Sequence, residues 1–241
     1  AFNGAAERHG YAPRIKSARE GTAWAWSILR HTPHEILVAD VNDRVAGICC
    51  LHPRGDQGGI GPVAVDPAYQ GKGIGRQLMD ALVKRAAALQ SVRLFQESFN
   101  PASFSLYYAL DFLPVADLLD MTADQNGRNG TMLIGSVYEL VLSDLDEVCS
   151  YDLPRSKYDR RADLAYYATW GKVFVLRQES KIRGILSCLP GSSSVQCGPL
   201  VAEGEEEALC LYRHALEIYR ERPCQTRVMA KDRSLVMALR E

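Results

Sequence analysis

The residues from Gln70 to Arg76 concentrate the chemistry this sequence offers. They read Gln70-Gly71-Lys72-Gly73-Ile74-Gly75-Arg76, between an apolar run, Gly61-Val65, and a helical pattern. Glycines at alternate positions strip side chains from a strand-to-helix turn. Backbone N–H groups can then converge at the positive end of a helix, an arrangement suited to phosphate or pyrophosphate. Lys72 and Arg76 add positive charge at the same place. Two familiar nucleotide loops fail on single residues. A dinucleotide fingerprint needs glycine three positions after Gly73, where Arg76 stands. A Walker loop needs Ser or Thr after its Gly-Lys, where Gly73 stands. A turn of purely structural purpose would not need the two basic residues.

A strand must deliver this loop and a helix must receive it. Gly61-Val65 supplies the strand, and Arg76 to Leu89 carries Leu78, Met79, Leu82, Val83, Ala86 and Leu89 on one helical face. Upstream, Ile36 to Pro53 reads as strand, polar turn at Asn42-Asp43, and strand. The same unit returns from Val173 to Pro190, with its turn at Glu179-Ser180. The offset is 137 residues, from Ile36 to Val173 and from Pro53 to Pro190, and it carries Gly61-Pro62-Val63 onto Gly198-Pro199-Leu200 without a gap. An amphipathic helix follows in each half, the second over roughly 206–220, and then a short strand, Val92-Gln96 or Thr226-Ala230. The pattern predicts a duplicated α/β domain. The turn-rich stretch 124–130, DQNGRNG, marks the boundary, and Val137-Leu142 opens the second copy. We expect domains over 1–125 and 131–241, each a mixed, mostly antiparallel sheet flanked by helices.

The loop resembles that of the GCN5-related N-acetyltransferase (GNAT) superfamily, Gln/Arg-x-x-Gly-x-Gly/Ala, at every fixed position. Val63-Ala64-Val65-Asp66-Pro67 is similar to that family's fourth strand and turn, and Asn100-Pro-Ala-Ser103-Phe-Ser-Leu106-Tyr107 to its Asn-x-x-Ala/Ser-x-x-Leu-Tyr stretch. Phe112 stands where the family has Gly-Phe, with Asp111 in place of the glycine. The likeness covers about residues 35 to 122. Residues 1–34 would supply the early helices, and the first strand would lie before Ala1. The resemblance implies acetyl-CoA as donor, with its pantetheine arm along the backbone of Val63, Ala64 and Val65. Its pyrophosphate would sit on Gln70, Gly71, Lys72, Gly73, Ile74, Gly75 and Arg76. Asn100 and Ser103 would lie across the cleft, and Tyr107 would protonate the leaving thiolate. Tyr107 also reads as a core aromatic among Phe104, Leu106, Tyr108 and Phe112. The acceptor implied is a small-molecule or peptide amine, acetylated by direct attack in a ternary complex. Many members place a glutamate on the fourth strand as base. Here 58–65 has no acid, so Glu97, Asp56, His52, a residue of the second copy or water remain open. That gap keeps a non-catalytic acyl-CoA sensor, or an interaction module, as the alternative.

At the constant offset Gln70-Gly71 falls on Glu207-Ala208, and the turn there is Ala202-Glu203-Gly204-Glu205-Glu206-Glu207. Carboxylates at a helix N-terminus favour the helix and repel a pyrophosphate. The second half therefore resembles a degenerate GNAT copy, as in tandem GNAT proteins. Tyr158-Asp159-Arg160 fits a substrate contact or a helix-start ion pair, the latter favoured. Trp24 and Trp26 fit an acceptor pocket, but more readily packing.

The bulk composition bounds the partners. With 241 residues, 47% hydrophobic and net charge -1, the chain offers no electrostatic case for nucleic acid or an anionic membrane surface, and no apolar run is long enough to cross a bilayer. Its seven cysteines are an odd set without a C-x-x-C pair, which argues against zinc and a disulfide framework and for free thiols in the cytoplasm. No metal site is expected. The residues do not distinguish acyl chain lengths or oligomeric states.

Overall fold

Apolar runs at Ile36–Asp40 (β1) and Val45–Arg54 (β2) pair antiparallel across a turn whose Asn42 and Asp43 adopt φ of +53° and +60°. Short polar residues tolerate that left-handed conformation, which matches the twist of a hairpin. The computed structural model describes residues 2–8, 10, 11, 13, 15, 17–31, 35–123 and 135–239, and the chain divides into two compact units, Ala1–Leu113 and Pro114–Glu241.

In the first unit, helices α1 (Phe2–Arg8) and α2 (Ala18–His31) precede β1. After β2 come β3 (Gln57–Val65), α3 (Ile74–Arg85), β4 (Ser91–Leu94) and α4 (Pro101–Tyr108). The sheet order is β1-β2-β3-β4, antiparallel except for the parallel β3–β4 pair. The fully buried Met79 and Leu82 and the buried Leu78 of α3 pack on Cys49, Leu51 and Ile60. Gly47 is small for a packing reason: a methyl group there would meet Ala64 O at 2.9 Å and Leu78 at 3.0 Å.

The second unit runs β5 (Leu118–Ala123), β6 (Ser136–Glu139), α5 (Leu145–Ser156), α6 (Arg161–Trp170), β7 (Lys172–Gln178) and β8 (Lys181–Pro190). It then continues through β9 (Val195–Ala202), α7 (Glu205–Ile218), β10 (Cys224–Met229) and α8 (Arg233–Ala238). Its sheet order is β5-β10-β9-β8-β7-β6, and β9–β10 is its parallel pair.

The duplication extends into local irregularities. Register shifts fall at Ala39/Asp40 and at Leu176/Arg177, and again at Cys49/Leu51 and Leu186/Cys188, each pair separated by the sequence offset. Both Gly-Pro bonds are cis, with φ of +145° at Gly61 and +146° at Gly198. Gly184 repeats the close approach of Gly47, here to Leu211 at 2.8 Å.

One strand lies elsewhere than its sequence position suggests. β5 falls within the expected first domain of 1–125, yet it pairs antiparallel with β10, and Asp120 accepts two bonds from Arg227 at 2.6 and 2.9 Å. Strand patterning shows which face is buried and not which sheet edge a strand joins. The boundary stretch 124–130 lies outside the described residues, as does the Trp24 side chain.

Candidate functional site

Where β3 bulges at Gly61-Pro62, the sheet opens. β4 pairs with β3 from Gln57↔Ser91 to Ile60↔Leu94 and no further. Beyond the bulge β3 keeps β2 on one side only, from Cys49↔Val63 to Gly47↔Val65. Asp66 N–H donates to Ala46 O on β2 at 2.8 Å, so strand alternation turns Ala64 toward β2 and the backbone groups of Val63 and Val65 toward the open edge. The Gln70 side chain confirms that orientation: its Nε2 donates to Val65 O at 2.9 Å. The open edge thus presents N–H groups at Val63 and Val65, with one carbonyl already held by Gln70.

The turn after β3 is ordered by its own side chains. Asp66 Oδ1 accepts from Ala68 N–H at 2.8 Å, Pro67–Tyr69 forms a single 3-10 turn, and Lys72 Nζ donates to Ala68 O at 3.1 Å beside the Tyr69 ring. Gly71 and Gly73 then take φ of +75° and +81°, conformations that favour glycine. Gly73 is the N-cap of α3 and offers no side-chain oxygen. The first bond to its carbonyl is Gln77 N–H to Gly73 O at 3.0 Å, so the amides of Ile74, Gly75 and Arg76 precede the intrahelical ladder. Uncapped amides and the helix dipole point the same way, toward an anion. Arg76 Nε meets Asp80 at 3.2 Å in an exposed pair. Gly75 brings three elements together, since a methyl group there would touch Leu106 at 3.5 Å and Val65 at 3.6 Å.

α4 starts at Asn100, whose Oδ1 accepts from Ser103 N–H at 3.3 Å while Ser103 Oγ donates to Asn100 O at 3.2 Å. Both expected contacts across the cleft are therefore also helix-capping residues. Tyr107 packs into the first unit's core with its ring 6.3 Å from Phe112, edge on, whereas Tyr108 is 57% exposed and stacks on Phe104. Burial, and then the neighbouring Cys49, raises the Tyr107 phenol above its ordinary value. α4 ends in two bonds, Phe112 N–H to Tyr107 O at 3.1 Å and Asp111 N–H to Tyr108 O at 3.2 Å, with Asp111 at φ +63°. Asp111 fills the left-handed position of that helix end, where glycine is the usual residue. Of the residues left open as base, His52 is tied to the bulge through Nε2, 2.6 Å from Gly61 O. Trp26 is 57% exposed.

The equivalent place in the second unit has the same divided strands and different chemistry. β9 and β10 part after Cys197↔Thr226, and Glu203 N–H donates to Arg183 O at 2.9 Å as Asp66 does to Ala46. At the helix start, however, Glu207 occupies the place of Gln70 and pairs with Arg183 at 3.4 Å. Glu203 binds Arg183 and also Arg155, the latter at 2.9 Å. A cavity of about 760 Å³ remains there, lined by Leu200, Ala202, Gly204, Glu205, Lys231 and Arg233 among others. Arg160 of the Tyr158-Asp159-Arg160 stretch forms an ion pair with Asp152, itself 1% exposed, and Asp159 Oδ1 accepts from Arg161 N–H at 3.1 Å. Sequence reasoning missed Asp152, because an acid inside a helix carries no mark of burial. Among the described residues no group of His, Cys, Asp or Glu is placed to hold a metal, and no helix is long and apolar enough to cross a membrane.

Residues 6–112 match the model of the acetyltransferase (GNAT) family. No match was found among curated protein sequences. Among solved structures, a Pyrococcus horikoshii protein assigned as an acetyltransferase superposes with a TM-score of 0.71 at 21% identity, over 88% of this chain and 70% of that one. A GCN5-related N-acetyltransferase from Kribbella flavida gives 0.57 at 15% identity, over 92% of this chain and 60% of its own length. A tandem GNAT protein from the clavulanic acid biosynthesis pathway gives 0.63 at 14% identity, over 98% of this chain and 87% of that one. At these identities the likeness is one of fold, and it embraces both units.

Proposed function

Since residues 6–112 belong to the GNAT acetyltransferase family, we propose that the first unit transfers an acetyl group from acetyl-CoA to a primary amine, and that the second unit has lost donor binding. The start of α7 is also uncapped but has Glu205, Glu206 and Glu207 in its first turn; the observation that carries this reading is the uncapped, acid-free start of α3 at Gly73 beside the open edge of β3. These are two adjacent features with unmet hydrogen-bonding capacity, matched to a pyrophosphate and an amide-bearing arm. The amides of Ile74, Gly75 and Arg76 would hold the pyrophosphate, with Lys72 adding charge. Val63 and Val65 would pair with the arm, and Gln70 keeps the turn folded by holding Val65 O.

Acetyl-CoA supplies an acetyl group already activated as a thioester. The amine nitrogen bonds to the acetyl carbonyl carbon, the carbon–sulfur bond breaks, and sulfur leaves with the electron pair. Tyr107 gives sulfur a proton, and the nitrogen yields one to solvent. Burial raises the phenol's pKa, so Tyr107 is protonated through the neutral range and gives up its proton only as the thiolate forms beside it. An N–H at Val65 would face negative charge growing on the carbonyl oxygen. The free cysteines suit a reducing cytoplasm, where we place the reaction.

Release of free thiol from acetyl-CoA on addition of primary amines tests this reading. A second reading, binding of acyl-CoA without turnover, is favoured by the absence of any acid on β3. Tight acetyl-CoA binding with no thiol release for any amine would decide for it.

A further inference from the structure

The cleft of the second unit is rebuilt rather than filled in. Its open strand edge persists, because β10 leaves β9 after Cys197↔Thr226. Glu203 N–H donates to Arg183 O on β8 at 2.9 Å, so alternation turns the backbone groups of Leu200 and Ala202 toward the gap. Both residues line the cavity of about 760 Å³, and Leu235 and Met237 of α8 add apolar wall. That volume is typical of a site for a small organic molecule.

The α8 side of this cavity carries charge that the first unit lacks. Val195↔Cys224 in the second sheet is the counterpart of Gly58↔Val92 in the first, so Lys231, Asp232 and Arg233 stand where the first unit has Phe99, Asn100 and Pro101. The helix starts agree, at Arg233 for α8 and Pro101 for α4. Asn100 caps its helix through its side chain, whereas the Asp232 side chain makes no capping bond. Lys231, Asp232 and Arg233, with Glu205 on the α7 side, line the cavity and are exposed. Among the described residues none of the four forms an ion pair.

This charge pattern selects the occupant. Glu205, Glu206 and Glu207 in the first turn of α7 repel a polyphosphate. A simple anion would meet Glu205 and Asp232, and a simple cation would meet Lys231 and Arg233. A ligand with one charge of each sign answers both pairs, and amides between its ends would pair with the free edge at Leu200 and Ala202. Two edge residues two positions apart are matched by an extended tripeptide, at about 3.3 Å per residue.

We propose that the cavity of the second unit binds a short zwitterionic peptide. Its backbone lies along Leu200 and Ala202, its carboxylate at Lys231 and Arg233, and its ammonium at Glu205 and Asp232. The assignment is independent of the acyl-transfer reading, since it uses no residue of the first unit.

Calorimetric titration of the whole chain with trileucine tests it, beside N-acetyl trileucine amide and beside a Lys231→Glu, Arg233→Glu double variant. The expected result is one saturable trileucine site, weakened about tenfold or more by blocking both peptide ends or by reversing the two charges, with acetyl-CoA affinity unchanged in the variant. The blocked peptide is compared on the unmodified chain, so that arm stands even if the variant fails to fold. Absence of saturable trileucine binding, equal affinity for the blocked peptide, or full binding by a folded charge-reversed variant would each overturn the assignment. Displacement of trileucine by acetyl-CoA from a Gly73→Glu, Gly75→Glu variant would overturn it too, and give the cavity to the donor.

Discussion

The two units repeat one another down to a bulge, a Gly-Pro step and the point at which two parallel strands part, yet the turn that follows is chemically opposite in each. In the first, Gly71 and Gly73 take left-handed φ and the first turn of α3 carries no acidic residue. In the second, Glu203 and Glu207 fold back onto Arg183, and three acidic residues occupy the first turn of α7. The comparison separates what the fold needs from what a ligand needs. Parting of the strands is inherited by both units, so it belongs to the architecture. Both helix starts, at Gly73 and Gly204, lack a side-chain cap, so that feature belongs to the architecture as well; the left-handed Gly71 and Gly73 and the acid-free first turn occur in the first unit only, so they belong to the site.

The largest effect expected is structural and confined to the second unit. Asp152→Ala leaves the half-buried Arg160 guanidinium without its carboxylate partner, and should cost about 3 kcal/mol in chemical denaturation while acetyl-CoA affinity stays the same. A loss of affinity would mean that the units are not functionally separable. Next in size, Tyr107→Phe should lower amine acetylation about 100-fold with donor binding retained, whereas Tyr108→Phe should leave the rate within about twofold. Equal effects would remove Tyr107 from its role as proton donor.

A pH series extends the comparison to both cores. Burial raises Cys49 to about 12 and Cys50 to about 11 in the first unit, and Tyr151 to about 12 in the second. Each group therefore holds its proton more tightly folded than unfolded. Their stabilisation is intact below the unfolded values, about 8.5 for a thiol and 10 for a phenol, and is lost as pH climbs from there toward the folded values. Melting temperature should be flat through neutrality on account of these groups and fall above about pH 9. The smallest effect expected is at the end of α4. Asp111→Gly relieves the left-handed aspartate but loosens the unfolded chain, and the net change should stay within about 1 kcal/mol by thermal denaturation.

Much of this was legible in the sequence because it is periodic or local. The constant offset exposed the duplication, the apolar runs on either side of the polar turn Asn42-Asp43 gave the hairpin, and the glycine spacing of 71, 73 and 75 located the loop. What escaped was non-local. Nothing in Leu118–Ala123 says that it will cross to the edge of β10, because either sheet edge satisfies its hydrogen bonds equally well. Asp152 reads like any helix-surface acid until Arg160 is placed beside it.

The central claim is that one unit binds the acyl donor through the α3 loop and the other does not. Calorimetric titration of the intact chain with acetyl-CoA, beside a Gly73→Glu, Gly75→Glu double variant, tests it most directly. One site per chain, lost in the variant while the fold persists, is the predicted result. Two sites, or binding that survives the substitutions, would contradict the account and move the donor to the second unit's cavity.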